Sequence, residues 1–210
     1  MYSVKEIFYS LQGEGAQSGR ASIFCRFSGC NLWSGREQDR QTAVCNFCDT
    51  DFIGTDGQNG GKFKTADDLC TFLSSFWPKD SHIPPYIIFT GGEPALQLDQ
   101  NLVDTCHQHG FIIAIETNGT KPLPNNIDWV CVSPKADAKV IITSGDELKL
   151  VYPQQLARPE QFEEMDFREF YLQPLDSPTR PIHTQDIINF CLKNPRWKLS
   201  LQSHKTLGID

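Results

Sequence analysis

Residues 86–94 of the 210-residue chain read YIIFTGGEP. Tyr86–Thr90 is aromatic, β-branched and nearly continuously apolar, as a parallel strand covered on both faces should be. Glycine-rich polar sequence follows at once. Working outward, an apolar run recurs at Ala21–Phe27, Phe111–Glu116, Trp129–Ser133, Leu148–Tyr152, Phe170–Gln173 and Trp197–Gln202. Helices fit between some of these runs. Thr65-Ala-Asp-Asp68 has the form of a capping box, after which Leu69, Phe72, Leu73 and Phe76 share one face and Pro78 ends the run. Two more are expected over Asp99–His109, stopped by Gly110, and over Thr184–Leu192. The gaps after Ser133 and Tyr152 are weak as helices, so the helical layer is expected to be incomplete.

Strand, helix and strand at such spacing form right-handed βαβ units and an α/β sheet. Periodicity leaves two forms open, a doubly wound open sheet and a partial barrel. In either, ligands bind at the C-terminal ends of the strands. The polar motifs fall there: Gly29-Cys30, Thr90-Gly-Gly-Glu-Pro94, Glu116-Thr-Asn-Gly119, Ser133-Pro-Lys135 and Gln173-Pro-Leu-Asp176.

Composition narrows the class. At 39% apolar and 21% charged residues the chain reads as globular, and its length suits a single domain over 1–210. A net charge of −7 with no basic run longer than two residues argues against a nucleic-acid partner, which needs clustered cations. The start, MYSVKEIFYSLQGEG, lacks the basic and apolar regions of a signal peptide. Nor does any stretch approach the roughly 18 apolar residues of a membrane span. A cytoplasmic chain without a membrane partner is expected, and there eight cysteines point to metal binding or burial rather than disulfides.

Cys30, Cys45 and Cys48 stand apart, in polar loop sequence just past a strand end, with Cys45-Asn-Phe-Cys48 forming a C-x-x-C. Cys25, Cys70, Cys106, Cys131 and Cys191 sit among apolar residues and read as small buried hydrophobes. The trio suits an iron–sulfur cluster with one open iron, or a zinc site that borrows Asp49 or Cys25 as fourth ligand. Cysteine spacing alone leaves both open.

Taken with Phe47 immediately before the third cysteine and with Gly91-Gly-Glu-Pro94 after the next strand, the trio resembles the radical S-adenosylmethionine superfamily. That likeness implies a partial, modified TIM-like (β/α) barrel, a 4Fe–4S cluster on the three cysteines and S-adenosylmethionine on its open iron. The superfamily spacing is C-x3-C-x2-C, whereas here the insert 31–44, NLWSGREQDRQTAV, separates Cys30 from Cys45. The insert has room for a short helix from Arg36 to Thr42. An insert of this kind is similar to that of some 7-carboxy-7-deazaguanine synthases, and the match continues across nearly the whole chain.

The family likeness implies site roles. Leu11, Gln12, Gly13 and Glu14 resemble the opening substrate loop, with Glu14 facing the guanidine-like edge of a pterin. Gly13 and Gly15 also fit a plain turn. Arg26 is placed to meet the substrate carboxylate, or else to pair with Glu14 or Glu93. Thr90 joins the substrate side. Asp49-Thr50 resembles the magnesium sequence with Thr50 as ligand; a turn hydroxyl is the other reading. Phe47 is placed near the adenine, Gly91, Gly92 and Glu93 near the methionine end, and Glu116 and Asn118 near the ribose. Ser133, Pro134, Lys135, Gln173, Pro174, Leu175 and Asp176 complete the implied cofactor side, against the simpler reading of turns and a surface charge. The family tail ends near the substrate, commonly in Pro, so Asp210 is a departure. His204 receives no role, and His107 and His109 read as exposed helix residues.

The resemblance implies conversion of 6-carboxy-5,6,7,8-tetrahydropterin to 7-carboxy-7-deazaguanine with loss of ammonia, by radical ring contraction in queuosine or deazaguanine biosynthesis. It also implies Mg2+, a homodimer and a flavodoxin-like or ferredoxin-like electron donor. No protein acid or base is assigned a catalytic role. A glycyl-radical-enzyme activase shares the cluster and turn but acts on a large protein. A non-enzymatic zinc-binding adaptor leaves the strand-end motifs unexplained.

Overall fold

The computed structural model describes residues 1–209; Asp210, expected on the substrate side, lies outside the described residues. The strands are β1 (Tyr2–Leu11), β2 (Ala21–Phe27), β3 (Gly61–Phe63), β4 (Tyr86–Gly91), β5 (Ile112–Thr117), β6 (Trp129–Val132), β7 (Ser144–Tyr152), β8 (Asp166–Pro174) and β9 (Trp197–Leu199). They form one sheet in the order β3-β1-β2-β4-β5-β6-β7-β8-β9. From β2 through β9 in that order every neighbouring pair is parallel, while β1 runs antiparallel to β2 and to β3. The order of the parallel strands follows the chain, and the sheet does not close. This is a partial barrel of the expected TIM-like kind.

The helices are α1 (Ala66–Ser74), α2 (Gln100–Gln108), α3 (Arg180–Lys193) and α4 (Ser203–Leu207). α1 begins with the expected capping box, Thr65 accepting from the Asp68 backbone and Asp68 from that of Thr65. Asp99 caps α2 by accepting from Leu102 N–H at 2.9 Å. α3 starts four residues before the expected Thr184, because Pro181 lies in the first turn, where its missing N–H costs nothing. After Ser133 the β6–β7 connection carries no helix, and after Tyr152 the β7–β8 connection carries only a 3-10 turn, Pro159–Gln161, so the helical layer is incomplete as the sequence implied; the β5–β6 connection also lacks a helix. The insert holds a 3-10 turn, Glu37–Thr42, in place of an α-helix. Among the described residues no helix is long and apolar enough to cross a membrane.

Alternation along the strands makes two apolar clusters on the outer face of the sheet, and an inner face that carries the polar cavity together with a smaller apolar cluster of Tyr86, Ile88 and Ala114. Ile23, Cys25 and Phe27 of β2, Ile87 and Phe89 of β4, and Ile113 and Ile115 of β5 pack with Leu69, Leu73, Leu102 and Val103 of α1 and α2. Leu148 and Leu150 of β7, Phe170 and Leu172 of β8 and Trp197 of β9 pack with Ile187 of α3. Phe72 is the exception on α1; it is half-exposed and rests on Phe63 of the edge strand. Cys25, Cys70, Cys106 and Cys131 are buried, Cys191 half-buried, and all cysteines are free. His107 and His109 are half-buried rather than exposed, each 3.0 Å from a carboxylate, Asp128 and Asp67 respectively.

The two kinds of restraint differ in strength. Leu172→Ala is expected to destabilise the fold by about 2–5 kcal/mol, since it empties a fully buried site between β8 and α3. Thr65→Ala removes one cap and should cost about 1 kcal/mol. Urea titration of the two variants measures both, and equal losses would contradict this division.

Candidate active site

The residues skipped by the outer core point the other way. Glu6 of β1, Arg26 of β2, Thr90 of β4, Glu116 of β5, Lys149 of β7 and Gln173 of β8 all line one cavity of about 440 Å3 at the C-terminal ends of the parallel strands. Loops after the strands close its rim.

Cys30, Cys45 and Cys48 face this cavity together. Cys45 is buried and the other two are half-buried. A hydrogen bond from the Cys45 thiol pulls the Cys48 thiol down to about 6, and the same bond with burial pushes Cys45 well up. Burial raises Cys30. Among the described residues no three His, Cys, Asp or Glu are gathered round one point as a single ion requires. The three free thiols share this one cavity, with the Cys45 and Cys48 side chains hydrogen-bonded to each other.

The insert braces this loop. Trp33 is buried edge-on against Phe52, and the Arg40 guanidinium stacks 4.1 Å over the Trp33 ring. From there Arg40 Nη1 donates to the carbonyls of Asn46 at 3.1 Å and Cys48 at 2.9 Å.

The glycines of the TGGEP turn have a defined reason. A Cβ on Gly92 would collide with the Gly29 carbonyl and lie 2.8 Å from the Cβ of Cys30. One on Gly91, at φ +147°, would strike the backbone of Phe27. Glu93 N–H then donates to Gly29 O at 2.9 Å, locking the turn onto the cysteine-bearing loop. The Glu93 carboxylate is fully buried and accepts from Ala95 N–H (2.9 Å), Thr117 Oγ1 (2.6 Å) and Asn118 N–H (2.7 Å). Burial pushes this carboxyl above its usual value against the pull of those donors.

The opposite wall is ionic. Lys149 Nζ donates to Glu14 Oε2 at 2.7 Å and Glu116 Oε1 at 3.3 Å. Gln12 Nε2 reaches the same Glu116 oxygen at 2.8 Å, and Gln202 Nε2 reaches Glu14 Oε1 at 3.0 Å. Burial raises the Glu14 carboxyl, but the Lys149 ammonium outweighs it and holds the group below the usual carboxylate range. Arg26 pairs with Glu6, at 2.7 Å, rather than with Glu14 or Glu93. Lys205 of α4 bridges Asp49 (2.7 Å) and Asp176 (2.6 Å), and Ser203 N–H binds Gly13 O, so the C-terminal segment crosses the cavity rim.

Most of the residues singled out in the sequence meet here. Leu11, Gln12, Gly13, Glu14, Arg26, Phe47, Thr50, Thr90, Gly91, Gly92, Glu116 and Asn118 line the cavity, as do Ser133, Lys135, Gln173, Pro174, Leu175 and Asp176. Glu93 and Pro134 do not; both are buried behind the wall. Glu116 sits with Gln12 and Lys149, on the substrate-loop side of the cavity. Among the lining residues that the sequence reading gives no role are Glu6, Lys149, Gln202 and Lys205. Lys149 hides in an apolar strand, and its partners are over thirty positions away in sequence. His204, which received no role, also lines the cavity, its ring against Gly13.

Gly92→Ala should therefore push the turn off the cysteine loop and cost about 1–3 kcal/mol, the range for overpacking. Denaturant titration of the metal-free protein checks this, and Gly110→Ala is a control for strain without contact, since nothing lies within 4 Å of its Cβ position. No loss in Gly92→Ala would show that contact with Gly29 is not what fixes the glycine.

Comparison with known proteins gives the family. The chain is 59% identical to the 7-carboxy-7-deazaguanine synthase of Caulobacter vibrioides, and 57% identical to those of Bordetella pertussis and Burkholderia multivorans. Each match covers 99% of both chains. Among solved structures, the crystal structure of QueE from Escherichia coli superposes with a TM-score of 0.71 over 95% of this chain and 93% of that one. At 24% identity that likeness speaks to the fold. No family model matches. On the full-length identity to its curated relatives, the chain belongs to the 7-carboxy-7-deazaguanine synthase family.

Proposed function

We propose that this chain converts 6-carboxy-5,6,7,8-tetrahydropterin to 7-carboxy-7-deazaguanine with release of ammonia, as the name of its relatives implies. The observation that carries the reading is the pairing, in one cavity, of three free thiols on one wall with a carboxylate–ammonium network on the other. Cys30, Cys45 and Cys48 would hold a 4Fe–4S cluster, and the glycine turn at Gly91-Gly92 leaves backbone groups bare for the methionine end of S-adenosylmethionine. Phe47, Asn118, Ser133, Lys135 and the Gln173–Asp176 segment complete that side. Thr50, half-buried beside Asp49, is the candidate Mg2+ ligand, an ion content with one protein oxygen among waters and substrate. When bound, these groups supply the electron, the radical and the Lewis acid.

The protein's own share is binding, orientation and exclusion of water. Arg26, half-buried at the end of β2, offers its guanidinium to the substrate carboxylate, with Glu6 fixing its angle. Glu14 offers carboxylate oxygens to the N–H groups of the pyrimidine edge, and Thr90, beside Arg26 on the neighbouring strand β4, completes the substrate side. The segment held by Lys205 and Ser203 narrows the mouth. A single domain working as a cytoplasmic homodimer, fed by a flavodoxin-like or ferredoxin-like donor, completes the reading.

An anaerobic assay with reconstituted protein, dithionite, S-adenosylmethionine, Mg2+ and the carboxytetrahydropterin, read by mass spectrometry, tests it. Carboxydeazaguanine should form in the wild type and vanish in Cys30→Ala. Arg26→Gln should raise KM for the pterin by about 10- to 100-fold, the worth of a charged hydrogen bond. Cleavage of S-adenosylmethionine with the pterin left intact would overturn the substrate.

A further inference from the structure

Lys149 has no assigned part in the reaction, yet it is the cation at the centre of the ionic wall. It leaves β7 on the inward face, is 3% exposed, and reaches carboxylates from two separate elements, Glu14 in the loop after β1 and Glu116 on β5. A third carboxylate, Glu147, precedes it on the same face of β7 and is already occupied by Ala16 N–H at 3.0 Å. Without an ammonium, Glu14 and Glu116 would be like charges sharing a buried wall, and one would take up a proton. A protonated carboxyl loses acceptor capacity and gains a donor, so it can no longer accept a pair of N–H groups.

The surrounding bonds show which way the network faces. Glu14 is held at both oxygens, Oε2 by Lys149 and Oε1 by Gln202. Gln202 Oε1 is itself buried with no hydrogen-bond partner. Glu116 Oε1 takes bonds from both Gln12 and Lys149. The wall is rich in acceptors and short of donors, which matches a ligand edge that carries N–H groups.

Resting on the functional reading above, we propose that Lys149 is a positioning residue for substrate recognition. It keeps Glu14, the nearer of its two partners, ionised and aimed beside Glu116, and through Glu14 it sets affinity for the amino-pyrimidine edge of the bicyclic substrate. Lys149 acts on the pterin end of the cavity and leaves the S-adenosylmethionine end alone.

The test uses reconstituted enzyme with bound S-adenosylmethionine, and titrates 7-carboxy-7-deazaguanine by calorimetry beside steady-state kinetics on the pterin. Lys149→Met should weaken binding and raise KM by about 10- to 100-fold, with affinity for S-adenosylmethionine unchanged. Because Lys149 works through Glu14, the double variant Glu14→Gln/Lys149→Met should bind no more than about threefold worse than Glu14→Gln alone, the mark of a coupled pair. This comparison also serves if Lys149→Met leaves too much unpaired charge to fold. Wild-type affinity in Lys149→Met, an equal loss for S-adenosylmethionine, or a further tenfold loss in the double variant would overturn the proposal. A wild type that neither binds nor converts the pterin family overturns the functional reading, and this inference with it.

Discussion

The Glu93 carboxylate is buried at the point where two strand ends meet, and it accepts from the backbone of its own turn, from Thr117 and from Asn118. Charged acceptors of this kind are worth about 1.5–3 kcal/mol per bond, and a buried carboxylate without them would be intolerable. The arrangement pins the β4 turn to the end of β5. The turn in turn sets Gly92 against Gly29, and so sets the height of Cys30 above the cavity. The cysteine wall, the glycine cradle and the Asn118 loop therefore share one origin. Displacing it would move all three together.

Across the cavity a different logic holds. Strand alternation delivers Arg26, Thr90, Glu116, Lys149 and Gln173 to the same side of the sheet, because the outer face is committed to α1, α2 and α3. Burial of charge there is tolerated only because each ion has a partner from another strand or loop. The ionic wall belongs to the tertiary structure and has no local equivalent in the chain.

That difference decides what the sequence reveals. The runs at Ala21–Phe27 and Tyr86–Thr90, the Thr65 cap and the cysteine loop are local patterns, and each was legible. β1 was not, because a register shift between Val4 and Glu6 breaks its alternation and puts Lys5 in a buried position, neutralised by Asp51 and Asp56. β3 is only three residues long. The run expected over Trp197–Gln202 stops at Leu199, since the Ser200 hydroxyl turns to Gln173 and Gly15. Glu93 belongs by its motif to the cofactor side, whereas its partners make it a bracket behind the wall. Lys149 is hard to read for the converse reason, as one charge in an apolar run.

The brace from the insert to the cysteine turn has a consequence of its own. Arg40 grips Asn46 and Cys48 by their carbonyl oxygens, groups that every amino acid carries. The insert thus reads the path of the chain and is blind to the side chain at position 46. Mutational drift between the two cysteines is free to explore that position without loosening the loop, while Trp33 and Arg40, fifteen and eight residues upstream of Cys48, carry the constraint in its place.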